Sequence, residues 1–215
     1  AYYSGYPIIS DEEYDALIEK YNLRSVGHTI TDGVPHAHKM YSLQKFFDLD
    51  DAPNYLEEGS NVIVTPKLDG AAVSLLYVNG HFALGLTRGD GNIGRDITDK
   101  MSMLVPEEIT THGEVFITGE VVCPSDVPNS RNVASGSLGL KSIAEFALRP
   151  LTFVAYDVQS SEIDYSHYKT AMRLLANLGF NVVTTFDASL YPTDGKVYRA
   201  DDQKVFKRLG HTAHH

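Results

Sequence analysis

The chain has 215 residues, 43% hydrophobic and 21% charged, which suits a globular protein with one sizeable core and room for a small appended subdomain. Eighteen Lys and Arg against 28 Asp and Glu give a net charge of −10, which argues against tight autonomous binding to a nucleic-acid backbone but leaves room for a local basic groove. No apolar run reaches the roughly 18 residues of a membrane span and no signal-peptide pattern is present, so a cytoplasmic protein with no membrane partner is expected.

A helix is predicted from about Ser10 to Tyr21, where Ser10 and Glu13 have capping-box spacing and Tyr14, Leu17, Ile18 and Tyr21 recur on one face. Its other face is acidic, with Asp11, Glu12 and Asp15. A loop rich in Gly, His and Pro follows, then His38 to Leu43, then a helix through Asp48 to Leu56. From Asn61 the pattern changes to strands: Asn61 to Thr65, then Ala71 to Val78 and His81 to Thr87 joined by an Asn79-Gly80 hairpin signal. Further strands are predicted over Glu114 to Val122, Leu151 to Val158 and Asn181 to Phe186.

A helix from about Ser166 to Leu178 carries Tyr168, Met172, Leu175 and Leu178 on one face and can be ended by Gly179. A shorter helix spans about Asp201 to Leu209. This mixture points to an α+β fold built largely on antiparallel sheets. The single cysteine, Cys123, excludes an internal disulfide framework and sits in an apolar strand, where packing is expected. The nine histidines form no helical His-x-x-x-His pair with an acidic partner.

Chemistry concentrates at Lys67-Leu68-Asp69-Gly70, at the end of the first strand-like stretch. On an extended strand Lys67 and Asp69 share a face, and Gly70 permits close approach to the backbone. A desolvated lysine can act as a covalent nucleophile. The segment Thr87 to Thr98 holds three glycines, with Arg88 able to grip a phosphate or ribose oxygen. Glu120 interrupts an apolar strand, a costly position unless the carboxylate is hydrogen-bonded, paired or facing a ligand cavity.

Asn129 to Leu138 is a small-residue segment suited to a loop closing on phosphate, with Arg131 as its fixed cation. Tyr156 offers a ring for base stacking or for the core. Asp194 to Arg199 is a turn followed by alternating cationic and apolar positions, and only one of Lys196 and Arg199 is expected to reach a pocket.

In this order the segments resemble the nucleotidyltransferase core of polynucleotide ligases and capping enzymes. Lys67 to Gly70 resembles the nucleophile motif, Gly119-Glu120 the central acidic motif, Leu151 to Val158 the base-stacking strand and Asp194 to Arg199 the later basic motif. Thr87 to Gly91, Asn129 to Leu138 and the N-terminal helix resemble NAD-dependent DNA ligase more narrowly, and that likeness covers nearly the whole chain.

The resemblance implies a nucleotidyltransferase core of antiparallel sheets with flanking helices over 49–215, and a helical subdomain over 1–48 that binds the nicotinamide mononucleotide half of NAD. Tyr2, Asp11, Tyr14 and Asp15 would contact that half, and Ser42 and Leu43 the adenosine side. Lys67 would attack the α-phosphorus of NAD, release nicotinamide mononucleotide and carry AMP for sealing nicks in duplex DNA. Asp69 and Glu120 would orient the lysine, bind ribose or hold Mg2+; Thr65, Arg88, Arg131, Tyr156 and Arg199 would line the nucleotide site.

Four positions depart from the family pattern. Thr65 stands where glutamate is usual, Arg95 where Gly-Glu-Asp is usual, Gly139 where an arginine commonly follows Ser-Leu, and Arg199 in place of a lysine. The family's final basic motif is absent after Leu209, so a fragment, a divergent phage-type form or one subunit of a split ligase is expected, with nick sealing dependent on missing domains or a partner. An ATP-using ligase or capping-like transferase and a non-catalytic NAD-binding module are the alternatives.

Overall fold

The computed structural model describes residues 33–43, 61–160, 163 and 165–209. The helices expected over Ser10 to Tyr21 and Asp48 to Leu56, and the boundary at 48/49, lie outside them, as do Tyr2, Asp11, Tyr14 and Asp15.

Among the described residues nine strands and five helices follow in chain order: β1 (Gly33–Pro35), β2 (Val62–Leu68), β3 (Ala71–Val78), β4 (His81–Thr87), β5 (Ile93–Arg95), α1 (Thr98–Met101), β6 (Glu114–Val122), α2 (Ser130–Leu138), α3 (Ile143–Ala147), β7 (Thr152–Ser160), α4 (Tyr168–Asn177), β8 (Asn181–Val182), β9 (Thr193–Ala200) and α5 (Gln203–Leu209). The main sheet has the order β4-β3-β6-β7-β8, antiparallel except for the β7/β8 edge. Two antiparallel ribbons, β1/β5 and β2/β9, accompany it. The α+β class with antiparallel sheets is as expected.

The two-residue period of the strands divides the main sheet into two chemically different faces. Val73, Leu75 and Tyr77 of β3 and Val115, Ile117 and Val121 of β6 are all buried in the main core, with Met101, Phe146, Met172 and Leu175 from the helices. The alternate residues, Ala72, Ser74 and Leu76 of β3 and Glu114, Phe116, Thr118 and Glu120 of β6, line an open cavity. A strand that reads as broadly apolar therefore presents a polar series to one side.

The β3/β4 hairpin turns at Asn79-Gly80, both with positive φ (48° and 84°), as its turn signal requires. Helix α4 buries Tyr168, Ala171, Met172 and Leu175 at helical spacing, and Gly179 at φ 96° follows its end. Cys123 is buried and free.

Six segments differ from expectation. Asn129 to Leu138 is not a loop: Ser130–Leu138 is helical because Ser130, Ala134, Ser137 and Leu138 form a buried stripe, and the Ser137 hydroxyl donates to the Val133 carbonyl at 2.6 Å. The strand expected over Asn181 to Phe186 stops at Val182, since the Thr185 and Phe186 amides turn back to the Val182 carbonyl. Asp194 to Arg199, expected as a turn followed by alternating positions, lies wholly within β9 and pairs along β2. Gly33–Pro35, inside the expected loop, pairs with Ile93–Arg95. The short helices α1 and α3 carry too few residues for their periodicity to stand out in sequence.

Candidate nucleotide site

Lys67 sits where the β2/β9 register shifts, between the pairs Pro66/Lys196 and Leu68/Thr193. Such an irregularity redirects a side chain from the regular alternation. Its Nζ donates to both carboxylate oxygens of Asp194 at 2.6 Å. Asp69, the neighbour expected to share its pocket, also lines the cavity, but its carboxylate pairs with Arg131 Nε at 3.1 Å. The amine and two carboxylates thus share one mouth, with Asp194 rather than Asp69 as the direct partner of Lys67.

Gly70 is required by packing. A Cβ there would lie 2.1 Å from the Val121 carbonyl oxygen, so the close approach expected at this glycine is made by the chain's own β6. The same contact lets the Gly70 amide donate to Glu120 Oε1 at 3.3 Å. Burial pushes the Glu120 carboxyl up to about 7, opposed by the Gly70 hydrogen bond and the charge of Lys67. Glu120 therefore holds a proton at mildly acidic pH and releases it near neutrality.

The cavity has a volume of about 1830 Å³, larger than the roughly 300–1,000 Å³ of most small-molecule sites and roomy enough for a dinucleotide. Ser42, Leu43, Thr65, Lys67, Asp69, Arg88, Glu120, Arg131, Tyr156 and Arg199 all contribute to its wall. Arg88 donates from Nη2 to Ser42 Oγ at 2.7 Å, while its Nε is buried without a hydrogen-bond partner. That unsatisfied donor suits a ligand oxygen.

Gly91 and Gly89 hold the turn after Arg88 at positive φ, and Asp90 accepts from the Asn92 and Ile93 amides at 2.8 Å. Thr65 is buried. Burial pushes the Tyr156 hydroxyl well above its ordinary value and keeps the ring neutral, and Tyr168 donates to its backbone carbonyl at 2.8 Å.

Arg199 reaches the cavity wall and Lys196 does not. Its guanidinium, however, pairs with Asp157 at 3.0 Å and stacks over Tyr168 and Phe206, 4.2 and 3.9 Å from their ring centroids. Arg199 is therefore built into the local packing as well as the wall.

Asp194 as the partner of Lys67, and His36, were not singled out from sequence. His36 Nε2 lies 3.0 Å from the Arg88 carbonyl, which can only accept, so this nitrogen carries the proton and Nδ1 accepts from the Ser74 hydroxyl at 3.1 Å. Burial lowers its pKa and favours this neutral form. No local spacing rule encodes this contact, which joins residues 38 and 52 positions apart.

A cluster of three or more metal-binding side chains does not occur among the described residues. Mg2+ commonly takes only one or two protein carboxylates and completes its shell with water and substrate phosphate, a donor set that Asp69 and Glu120 fit. No described helix is long and apolar enough to cross a membrane.

Residues 30–128 match the family model described as the NAD-dependent DNA ligase adenylation domain. A DNA ligase of Campylobacter concisus (strain 13826) is 29% identical over 272 aligned positions, which take in 99% of this chain and 42% of that protein. DNA ligase 1 of Nocardia farcinica (strain IFM 10152) is 32% identical over 197 positions, 75% of this chain and 30% of that protein. The chain thus spans less than half the length of these curated relatives. Among solved structures, a Naegleria gruberi RNA ligase with ATP and Mn superposes with a TM-score of 0.43 at 13% identity, covering 85% of this chain and 62% of that one. Residues 30–128, a little under half of the chain, are thus similar to the NAD-dependent DNA ligase adenylation domain.

Proposed function

We propose that this chain is the adenylation module of an NAD-dependent DNA ligase, with Lys67 as the nucleophile. The neutral Lys67 amine attacks the α-phosphorus of NAD, a nitrogen–phosphorus bond forms, and the bond to nicotinamide mononucleotide breaks. The amine proton passes to a nearby carboxylate or water, and AMP stays on the lysine for transfer to a 5′-phosphate in nicked DNA. The observation that carries this reading is the Lys67 amine at the cavity mouth beside Asp69, Asp194 and Glu120, with the unpartnered Nε of Arg88 on the same wall.

Arg88 and Arg131 hold phosphate or ribose oxygens, Tyr156 and Thr65 face the adenosine with Ser42 and Leu43, and Arg199 supplies positive potential from its seat on Asp157. Tyr2, Asp11, Tyr14 and Asp15 take the nicotinamide mononucleotide half. Mg2+ held by Asp69 and Glu120 would neutralise developing phosphate charge. Nick sealing involves duplex DNA as partner and, given the length of the relatives, further domains or a partner subunit.

The test is intact-mass measurement after incubating the protein and Lys67→Ala with Mg2+ and either NAD or ATP. A Lys67-dependent AMP adduct from NAD alone supports the reading. An adduct from ATP alone assigns the chain to an ATP-using transferase, adduct persisting on Lys67→Ala rejects this nucleophile, and NAD binding without any adduct makes the chain a binding module.

A further inference from the structure

Tyr156 lies at a discontinuity of the main sheet. Between β6 and β7 the register passes from Thr118/Asp157 directly to Gly119/Ala155, so Tyr156 has no partner on β6. An extra residue of this kind interrupts the alternation of a strand and re-aims its side chains. Here Tyr156 and the adjacent Asp157 both line the cavity, where regular pleating would send one of them to the opposite face.

A bulge beside a site needs something to hold it. Among the described residues β8 pairs with β7 only at Val154 and Ala155, so the ladder ends before the bulge. The carbonyls beyond it are met by side chains instead: the Tyr168 hydroxyl donates to Tyr156 at 2.8 Å, and the Tyr165 hydroxyl donates to Val158. Burial pushes both hydroxyls above their ordinary value, so they remain donors around neutral pH.

Tyr168 is itself fixed from the other side. It opens α4, its amide donates to the Asp201 carbonyl at 2.7 Å, and the Lys169 amide donates to the Asp201 carboxylate at 2.9 Å. Its ring centroid lies 4.2 Å from the Arg199 guanidinium, which pairs with Asp157, the residue after the bulge. Arg199 lies within β9 and Asp201 directly follows it, and β9 carries Asp194 and pairs with the strand of Lys67. One buried side chain thus touches both the ribbon bearing Lys67 and the sheet bearing Tyr156.

We propose that Tyr168 is a positioning residue: its hydroxyl holds the Tyr156 bulge so that the Tyr156 ring meets the base of the bound nucleotide in register with Lys67. This deepens the adenylation reading given above, on whose nucleotide site it rests. The hydroxyl is engaged by the Tyr156 carbonyl, so its influence on the nucleotide passes through Tyr156.

The test is a double-variant cycle in the full chain. Tyr168→Phe removes one oxygen and keeps the ring beneath Arg199, and Tyr156→Leu removes the stacking ring. Lysyl-AMP formation is timed by intact mass over a range of NAD concentrations. Thermal melting is followed in the same preparations, and every assay is run below the lowest melting temperature of the set.

Tyr168→Phe is expected to raise the half-saturating NAD concentration about fivefold or more and to change the saturating rate by less than about twofold, because a displaced base platform weakens ground-state and transition-state binding alike. In the Tyr156→Leu background the same substitution should shift neither value. The melting temperature should fall equally in both backgrounds, since the lost hydrogen bond is to a backbone carbonyl that either residue supplies.

An unchanged half-saturation point in Tyr168→Phe, or an equal rise in both backgrounds, overturns the proposal and leaves the hydroxyl a structural bond only. If the unsubstituted chain forms no lysyl-AMP, the adenylation reading fails, and calorimetric binding of AMP to the same proteins decides this inference by the same comparison. No binding of AMP by the unsubstituted chain would overturn both.

Discussion

Lys67 and Asp194 meet end to end across the β2/β9 ribbon, with Nζ 2.6 Å from both carboxylate oxygens. The pair closes at a register shift, where β2 departs from regular alternation. It is part-exposed, at 27% and 41% of the side chains, so it orients the amine without anchoring the fold.

Asp194→Ala is expected to change unfolding free energy by less than about 1 kcal/mol, the usual worth of an exposed pair, while slowing lysyl-AMP formation tenfold or more. Thermal melts and time-resolved intact mass separate the two effects. A large loss of stability with normal adenylation would make the pair structural.

Glu120 gives a pH signature. Its folded carboxyl is raised from the ordinary 4.5 to about 7, so between these values the folded state holds a proton that the unfolded state has released. This contribution to stability is fully present below the unfolded value and is lost as pH rises through about 7. Denaturant titrations should show stability falling over this interval, with a shallower fall in Glu120→Gln. If the carboxylate form serves catalysis, adenylation by the unsubstituted chain rises through about pH 7 and the variant lacks that inflection.

Gly70→Ala should destabilise the protein by about 2 kcal/mol or more, because its Cβ meets a backbone carbonyl at 2.1 Å and neither atom can rotate away. Separation of the strands would also break the Gly70 hydrogen bond to Glu120. Differential scanning calorimetry decides: a melting temperature equal to that of the unsubstituted protein would show that the β2–β3 connection yields freely.

Arg199→Lys tests what the planar guanidinium contributes. Lysine keeps a charge for Asp157 but loses the planar stacking on Tyr168 and Phe206, so a loss of about 1–2 kcal/mol is expected. Arg199→Ala should cost more, about 3 kcal/mol, because Asp157 is then left without its cation. Equal stability of all three proteins in urea titrations would show that the stack contributes nothing.

The strongest parts of the sequence reading are those where local rules suffice. The β3/β4 hairpin follows from Asn79-Gly80 between apolar runs, and α4 from the spacing of Tyr168, Met172 and Leu175 before Gly179. Lys67, Asp69, Gly70 and Glu120 were legible because a charged residue at a strand end, a glycine beside it and an acid inside an apolar strand each violate a packing preference. The helix at Ser130–Leu138 was not legible, since its Ser, Gly and Asn residues favour turns locally and only burial of Ala134 and Leu138 against the sheet overrides them.

By itself the sequence determined the α+β class, the main strands and the resemblance to a ligase adenylation domain, because propensity, alternation and motif order are properties of neighbouring residues. The tertiary structure decided how the charged residues are paired: Lys67 with Asp194, Asp69 with Arg131, and Arg199 with Asp157. Each of these relations joins segments brought together by sheet register and helix packing. Register depends on which faces become buried, a free energy of the whole assembled chain that no short window contains.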